Sequence, residues 1–190
     1  MKKVLIICAV MICSGFLYAQ NRVQFGAKAG LNASKLNYEK STDGDYKASF
    51  HVGALAHIHL TKQFALQPEV MYSEQGTTLT EGSNKYQIHL NYINVPVLVQ
   101  YMTGTGLRLE TGPQFGYLLH AANETPGGDV EVNSNYNKFD FAWAVGAGYK
   151  FASGFGIDGR YNYGITDVNN VIPTNIQNRV FQFGVFYQFK

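Results

Sequence analysis

The 190-residue sequence carries 15 Lys+Arg against 13 Asp+Glu, a formal net charge of +2, with 20 Gly, 13 Tyr, 13 Phe and 2 Cys. So even a balance excludes a nucleic-acid surface, which needs a concentrated basic patch, and the length suits one domain and hardly two. Beyond residue 20 no apolar run reaches the 18 or more residues that a membrane-spanning helix needs. A membrane-spanning barrel stays open.

The chain begins MKKVLIICAVMICSGFLYA, with Lys2 and Lys3 ahead of an apolar stretch and Leu17-Tyr18-Ala19 as a small-residue exit before Gln20. That order predicts a secretory signal peptide over 1–19 and a β-barrel domain over 20–190. Cys8 and Cys13 both lie in the leader, and neither sits at the cleavage point. The mature domain would therefore hold no thiol for a disulfide, a nucleophile or a metal. Without Lys2 and Lys3 it has 13 basic and 13 acidic side chains.

Eight segments then alternate apolar and polar residues: 23–32, 49–61, 64–73, 86–101, 107–120, 139–151, 155–165 and 180–189. None shows a sustained period of 3.6 or a capped apolar stripe. Short turns at 61–63, 103–106 and 152–154 alternate with longer polar connections at 33–48, 74–85, 121–138 and 166–179, rich in turn formers. Short turns at one end and long loops at the other are the habit of outer-membrane barrels. The expected class is all-β, an eight-stranded antiparallel up-and-down transmembrane β-barrel.

Parity within the strands separates two faces. One runs through Phe25, Leu31, Val52, Val70, Val99, Leu109, Phe115, Val145, Ile157 and Val185, and its 46 positions hold no Asp, Glu, Lys, Arg or His. At 15% charged residues such a face would carry about seven by chance, and a lipid-facing charge near the midplane costs about 2–4 kcal/mol. The other face carries Lys28, Glu69, Arg108, Glu110, Gln114, Asp140, Lys150, Asp158, Arg160, Asn162 and Gln182, interleaved with glycines. These residues are expected to form a structural polar network that fills the lumen of a narrow barrel, four positive charges against four negative. Aromatic residues sort into two belts, as rings that meet headgroups do. Phe64, Tyr101, Tyr149, Phe151, Phe155, Tyr187 and Phe189 fall at the short-turn end, and Tyr72, Tyr92, Tyr117, Phe139, Tyr161, Tyr163 and Phe181 at the long-loop end. Pro68, Pro96 and Pro113 interrupt neighbouring strands, so a bulge or a missing ladder bond is expected at each. Strand four shifts phase between Tyr92 and Ile93, which predicts a bulge there.

GAKAGLN, FHVGALAHIHL, FALQPEVMYSEQG, NYINVPVLVQY, LRLETGPQFGYLL and GIDGRYNYG, in that order, span the mature chain. Together they resemble the PorT-like outer membrane beta-barrel (porin family) proteins of Bacteroidetes. The resemblance implies a place in the cell outer membrane and a barrel fold; it implies no activity. Where that pattern carries an acidic residue and a lysine on strand four, this chain has Asn94 and Gln100, so an inner ion pair at that level is expected to be missing.

The function expected from these features is binding, adhesion or envelope scaffolding through the four long loops. Outer-membrane lipid is one partner, and an extracellular or envelope protein at 33–48, 74–85, 121–138 and 166–179 is another. No cofactor and no nucleic acid enter this reading. A narrow passive porin-like channel and an outer-membrane lipid-modifying enzyme are the alternatives. His51, His57 and His59 share the inner face, the last two about 7 Å apart by strand rise, yet imidazoles in a polar lumen more often simply hydrogen-bond, so no metal site is predicted. An enzyme would draw on Ser73, His89, His120 and Asp140 near the long-loop rim. No motif binds them together, and no catalytic residue is predicted.

Overall fold

The computed structural model describes residues 23–39, 44–81, 84–125, 128–171 and 173–189; the signal peptide expected over 1–19 lies outside them. Nine strands follow in chain order: β1 (Val23–Tyr38), β2 (Lys47–His59), β3 (Phe64–Glu81), β4 (Asn84–Met102), β5 (Leu107–Thr125), β6 (Gly128–Glu131), β7 (Phe139–Lys150), β8 (Phe155–Gly164) and β9 (Ile176–Gln188). Each long strand pairs antiparallel with its neighbours, β5 with β7 directly, and β9 returns to β1 with Ala29 opposite Val185. Eight strands thereby close a ring with no free edge, which removes the unpaired backbone that an open sheet would expose to hydrocarbon. The short β6 stands outside the ring, paired among the described residues with the end of β5.

The two faces behave as lipid and lumen demand. On β9, Phe183 and Val185 are 62% and 57% exposed, whereas Gln182 before them and Gln188 beyond are buried. Ring pairs mark both ends of the outer surface. Phe64–Tyr101, Tyr149–Phe151 and Phe155–Tyr187 lie 4.8–5.4 Å apart near the short turns, and Tyr117–Phe139, Tyr161–Phe181 and Tyr46–Phe181 lie 4.5–6.1 Å apart near the loops. The short turns close on Gly106 and Gly154, both at positive φ. Inside, Gly30 faces Gly184 across β1 and β9. A Cβ on Gly30 would stand 2.6 Å from the Gly184 Cα and 2.7 Å from the His51 ring, so only glycine leaves room there for the large polar side chains.

Each of the three prolines sits at a break in a ladder. The β2–β3 register stops at Leu55↔Glu69 and resumes at Ile58↔Leu66, passing over Pro68. Between β3 and β4 it skips from Pro68↔Val97 to Met71↔Asn94, passing over Pro96. Between β4 and β5 it skips from Pro96↔Gln114 to Val99↔Thr111, passing over Pro113. A residue without an N–H leaves its partner carbonyl unmatched, and the ladder gaps follow.

The register shift between β4 and β5 lies elsewhere than expected. Asn91 pairs with His120 but Tyr92 with Leu118, so the extra residue is Leu119 on β5, and β4 keeps one phase throughout. Tyr92 consequently points inward, 1% exposed. It does not belong to the outer aromatic belt; Tyr46 contributes there instead.

The strands also run well past the ends that alternation alone predicts. The described residues of 74–85 continue the β3–β4 hairpin, and β1, β5 and β9 extend into 33–38, 121–125 and 176–179. In these extensions the polarity inverts. Leu36, Ile88, Leu90, Tyr92, Leu118, Ala121, Val168 and Ile176 form a buried apolar cluster on the inside, with Tyr38, Leu79, Val132 and Tyr136 packed against it. Lys35, Asn37, Thr80, Gln87 and His89 occupy the outside. Lipid no longer surrounds the sheet at this height, so the hydrophobic effect drives apolar groups inward as in a water-soluble protein. We call this part the collar.

Val185 on β9 and Val130 on β6 are nearly equally exposed, at 57% and 54%, and differ in which solvent they meet. Val185→Lys should cost about 2–4 kcal/mol in guanidinium unfolding from phospholipid vesicles, while Val130→Lys should stay within about 0.5 kcal/mol. Equal costs would mean that the collar is also immersed in hydrocarbon.

Candidate functional site

The luminal residues meet along the barrel axis in layers. At mid-height Arg160 on β8 donates through Nη1 and Nη2 to both oxygens of Glu69 on β3, at 2.9 and 2.8 Å, and through Nε to Glu110 Oε1 on β5 at 2.8 Å. In the ring of eight, β3 and β8 lie opposite one another. This bidentate clamp therefore crosses the full diameter. Gln67 and Gln100 donate to the remaining lone pairs of Glu69 and Glu110, each at 2.8 Å, and Lys28 pairs with Asp158 at 2.7 Å. A buried ion pair holds only when hydrogen bonds complete it, and Glu69 and Glu110 each accept an amide bond beside those from Arg160.

Nearer the loops the bonding becomes neutral. Asn32 receives Gln182 Nε2 at 3.0 Å and contacts His51 Nδ1 at 2.8 Å, while its own amide donates to Ser73 Oγ at 3.0 Å. Asn162 donates to Gln182 Oε1 at 2.9 Å. Asn178 donates to Gln75 across the lumen, and Asp140 accepts from Thr166 Oγ1 at 2.7 Å. Gln114 is buried on the same inner face. Arg108 and Lys150 lie towards the short-turn mouth, where Arg108 Nη2 donates to Gln188 Oε1 at 3.1 Å. The eleven residues read from parity thus share one interior but not one network. Gln67 and Gln100 complete the clamp without carrying charge; both stand on the inner parity, and Gln67 lies two residues from Glu69, which is the signal that would have found them.

His57 and His59 touch edge to face, with ring centroids 4.6 Å apart, and His57 Nδ1 lies 3.2 Å from Gln67 Oε1. Among the described residues no three His, Cys, Asp or Glu side chains converge as metal ligands would. At the rim, Ser73 Oγ accepts from Asn32 and Gln75, and Asp140 bonds Thr166. His89 contacts Glu74 at 3.0 Å and Glu124 at 3.2 Å, and His120 lies 3.9 Å from Glu131. No two of these four candidates bond each other among the described residues.

The collar holds its own charged cluster, which alternation misses because it treats the region as loop. Lys47 Nζ reaches Glu74 Oε1 at 2.6 Å and His89 Nδ1 at 2.9 Å. Burial alone would raise the Glu74 pKa, but the hydrogen bonds from Lys47 and His89 hold it below the usual carboxylate range. Burial in the apolar cluster pushes the Tyr136 phenol up to about 12, with Tyr38 adding to the effect.

The sequence model for the outer membrane protein beta-barrel domain matches residues 18–170. The chain belongs to that family. This outer-membrane barrel is similar in fold to neisserial surface protein A (NspA), with a TM-score of 0.60 at 17% identity over 87% of this chain and 97% of that one. It is also similar to Ail, the attachment invasion locus protein of Yersinia pestis, with a TM-score of 0.58 at 13% identity over 88% and 99%. At such identities the likeness shows the fold alone. Among curated proteins none matches this chain.

Arg160→Leu leaves two buried carboxylates without their cation and should destabilise the barrel by more than about 3 kcal/mol, measured by urea unfolding in detergent micelles. Adding Glu69→Gln and Glu110→Gln to the same chain should restore much of that loss. A separate readout concerns the collar. Because the Glu74 pKa is lowered by folding, its stabilisation is present above the ordinary glutamate value of about 4.3 and fades as pH falls below it. Amide exchange in the β3–β4 hairpin, corrected for intrinsic rates, should accelerate below that pH in the parent chain, with a much smaller rise in Glu74→Gln.

Proposed function

We propose that this chain is a closed, surface-displaying barrel that binds a partner through its collar and carries no solute through its lumen. One observation carries the reading: the Arg160–Glu69 clamp spans the diameter of the barrel with both partners buried. The apolar cluster above it adds a second closure. An interior just wide enough for side chains has no remaining route for a hydrated ion. The collar is what projects into the medium, and the exposed faces of loops on rigid scaffolds are where recognition concentrates.

The chemistry of the collar narrows the partner. Its exposed described residues include Glu39, Asp45, Glu124 and Glu131 against Lys138. Ail has been solved in complex with the heparin analogue sucrose octasulfate. A sulfated polyanion suits this collar poorly, and a neutral or basic protein surface, extracellular or within the envelope, suits it better. The finer kinship with PorT-like barrels of Bacteroidetes, carried by the motifs quoted above, belongs to the same reading, which assigns no catalytic step to the chain.

Planar-bilayer recordings across a range of salt should stay silent for the parent barrel. Steady conductance in the unaltered chain would favour the channel alternative over binding. In parallel, trimming β3–β4 to a short turn at the level of Tyr72 should leave a folded barrel in the membrane and abolish adherence of cells displaying it.

A further inference from the structure

Within the hydrocarbon band the ring has no edge, but the collar above it does not close in the same way. Above Leu118, β5 leaves β7 and pairs with β6 instead, from Ala122↔Glu131 to Thr125↔Gly128. The neighbouring strands are bonded on both sides at this height. β1 has β9 on one side and the Gly44 N–H at Leu36 O on the other. β3 has β4 and a two-bond exchange between Asp45 and Thr78. β9 has β1 and the Val168 N–H at Ile176 O. Among the described residues β6 alone is paired on one side.

Register fixes what that open side offers. Backbone groups of successive strand residues point alternately to one neighbour and the other. The Val132 N–H bonds Ala121 O on β5, so Val130, two residues before it, faces β5 as well. The N–H and C=O of Asp129 and of Glu131 therefore point away from the sheet, and among the described residues no backbone group meets them. Gln87 opposes Glu124, and His89 opposes Ala122, which opposes Glu131. Both glutamates thus stand on the outer face, with side chains 55% and 65% exposed. His89 lies against Glu124, and His120 and Asn133 against Glu131, without covering either carboxylate. Val130 opposes Asn123 and, through it, Ile88; it belongs to the inner face and is nevertheless exposed. The edge joins open backbone groups to an acidic outer side and an apolar inner one.

We propose that β6 accepts, as an added strand, an extended segment of a partner protein in which basic and apolar residues alternate; this rests on the reading that the collar is the binding surface. Bonds to the backbone of Asp129 and Glu131 supply the pairing, as in other strand additions to an exposed edge. Alternate side chains of the incoming strand face opposite sides. Its lysines or arginines meet Glu124 and Glu131 outside, and its apolar residues lie beside Val130 within. A second copy of this chain suits the edge poorly. Antiparallel pairing of two β6 strands would bring the Glu131 carboxylates of both copies onto one face, and like charges across a ladder are destabilising.

The test uses the full barrel in phosphatidylcholine nanodiscs and two soluble peptides of alternating lysine and valine, one with an ordinary backbone and one with its backbone N-methylated. On adding the ordinary peptide, amide exchange read by NMR should slow at Asp129 and Glu131 and stay unchanged at Val130. The N-methylated peptide, equal in charge, should bind about tenfold more weakly, as loss of backbone hydrogen bonds implies. Glu131→Pro removes one edge donor while Val130 still faces Asn123, and should weaken the ordinary peptide by a similar factor. Glu131→Gln should weaken it less, by a factor that vanishes in high salt. Heat-modifiable migration in gels reports that each variant is folded, and the peptide pair needs no variant at all. Equal binding of the two peptides would overturn the proposal, because charge alone would then explain it. So would a dimer that forms with rising protein concentration and is lost in Glu131→Pro, which gives the edge to a second copy. Binding of neither peptide, with adherence still abolished by trimming β3–β4, overturns strand addition and leaves the collar reading standing. Adherence retained after that trimming counts against the collar reading itself.

Discussion

Which liquid touches the sheet at each height is the constraint from which the rest of this structure follows. Over the hydrocarbon band, backbone groups must be satisfied within the protein, which requires the ring closed by β1 and β9. Side chains there must be apolar outward, which leaves the charged residues only the axis. Above the band the outside becomes water. The same strands then reverse their polarity, with Leu36, Ile88, Leu90 and Ile176 turned inward. One continuous sheet thus contains two proteins in the thermodynamic sense, divided near the level of Tyr117 and Phe181.

The axis is expensive ground for charge. Desolvating an ion costs several kcal/mol even after relaxation, and mutual attraction offsets this only with full hydrogen bonding. Arg160 meets that condition through three hydrogen bonds to two carboxylates, with Gln67 and Gln100 each adding one more. With Arg160 already answering Glu69 and Glu110, a further ion at this level would be unmatched, whereas the amide of Gln100 completes Glu110.

Glycine and proline set the limits of the packing. Gly30, Gly184 and their neighbours free the volume that Lys28, His51 and Asp158 occupy. Three prolines on adjacent strands break three adjacent ladders. In a ring, these broken bonds have no edge to retreat to, so they become local gaps in otherwise continuous pairing.

Much of this was written in the alternation of single residues. The uncharged face, the inward parity of Arg108, Glu110 and Arg160, the three short turns and the proline gaps all follow from period-two geometry acting in a lipid solvent, which applies residue by residue and needs no partner. The collar escaped that reading because the rule it relies on reverses sign there: alternation continues from Leu36 to Tyr38 and from Tyr86 to Tyr92, but with apolar residues inside, and beside turn-forming residues it reads as loop. Tyr92 was misplaced for the same reason, together with a bulge whose extra residue, Leu119, sits on the partner strand. Pairing across the lumen lay beyond the sequence altogether. That Arg160 meets Glu69, ninety-one residues away, depends on strand tilt and stagger around a closed ring. Face and solvent are local properties of a strand, whereas distance across a barrel is a property of its closure.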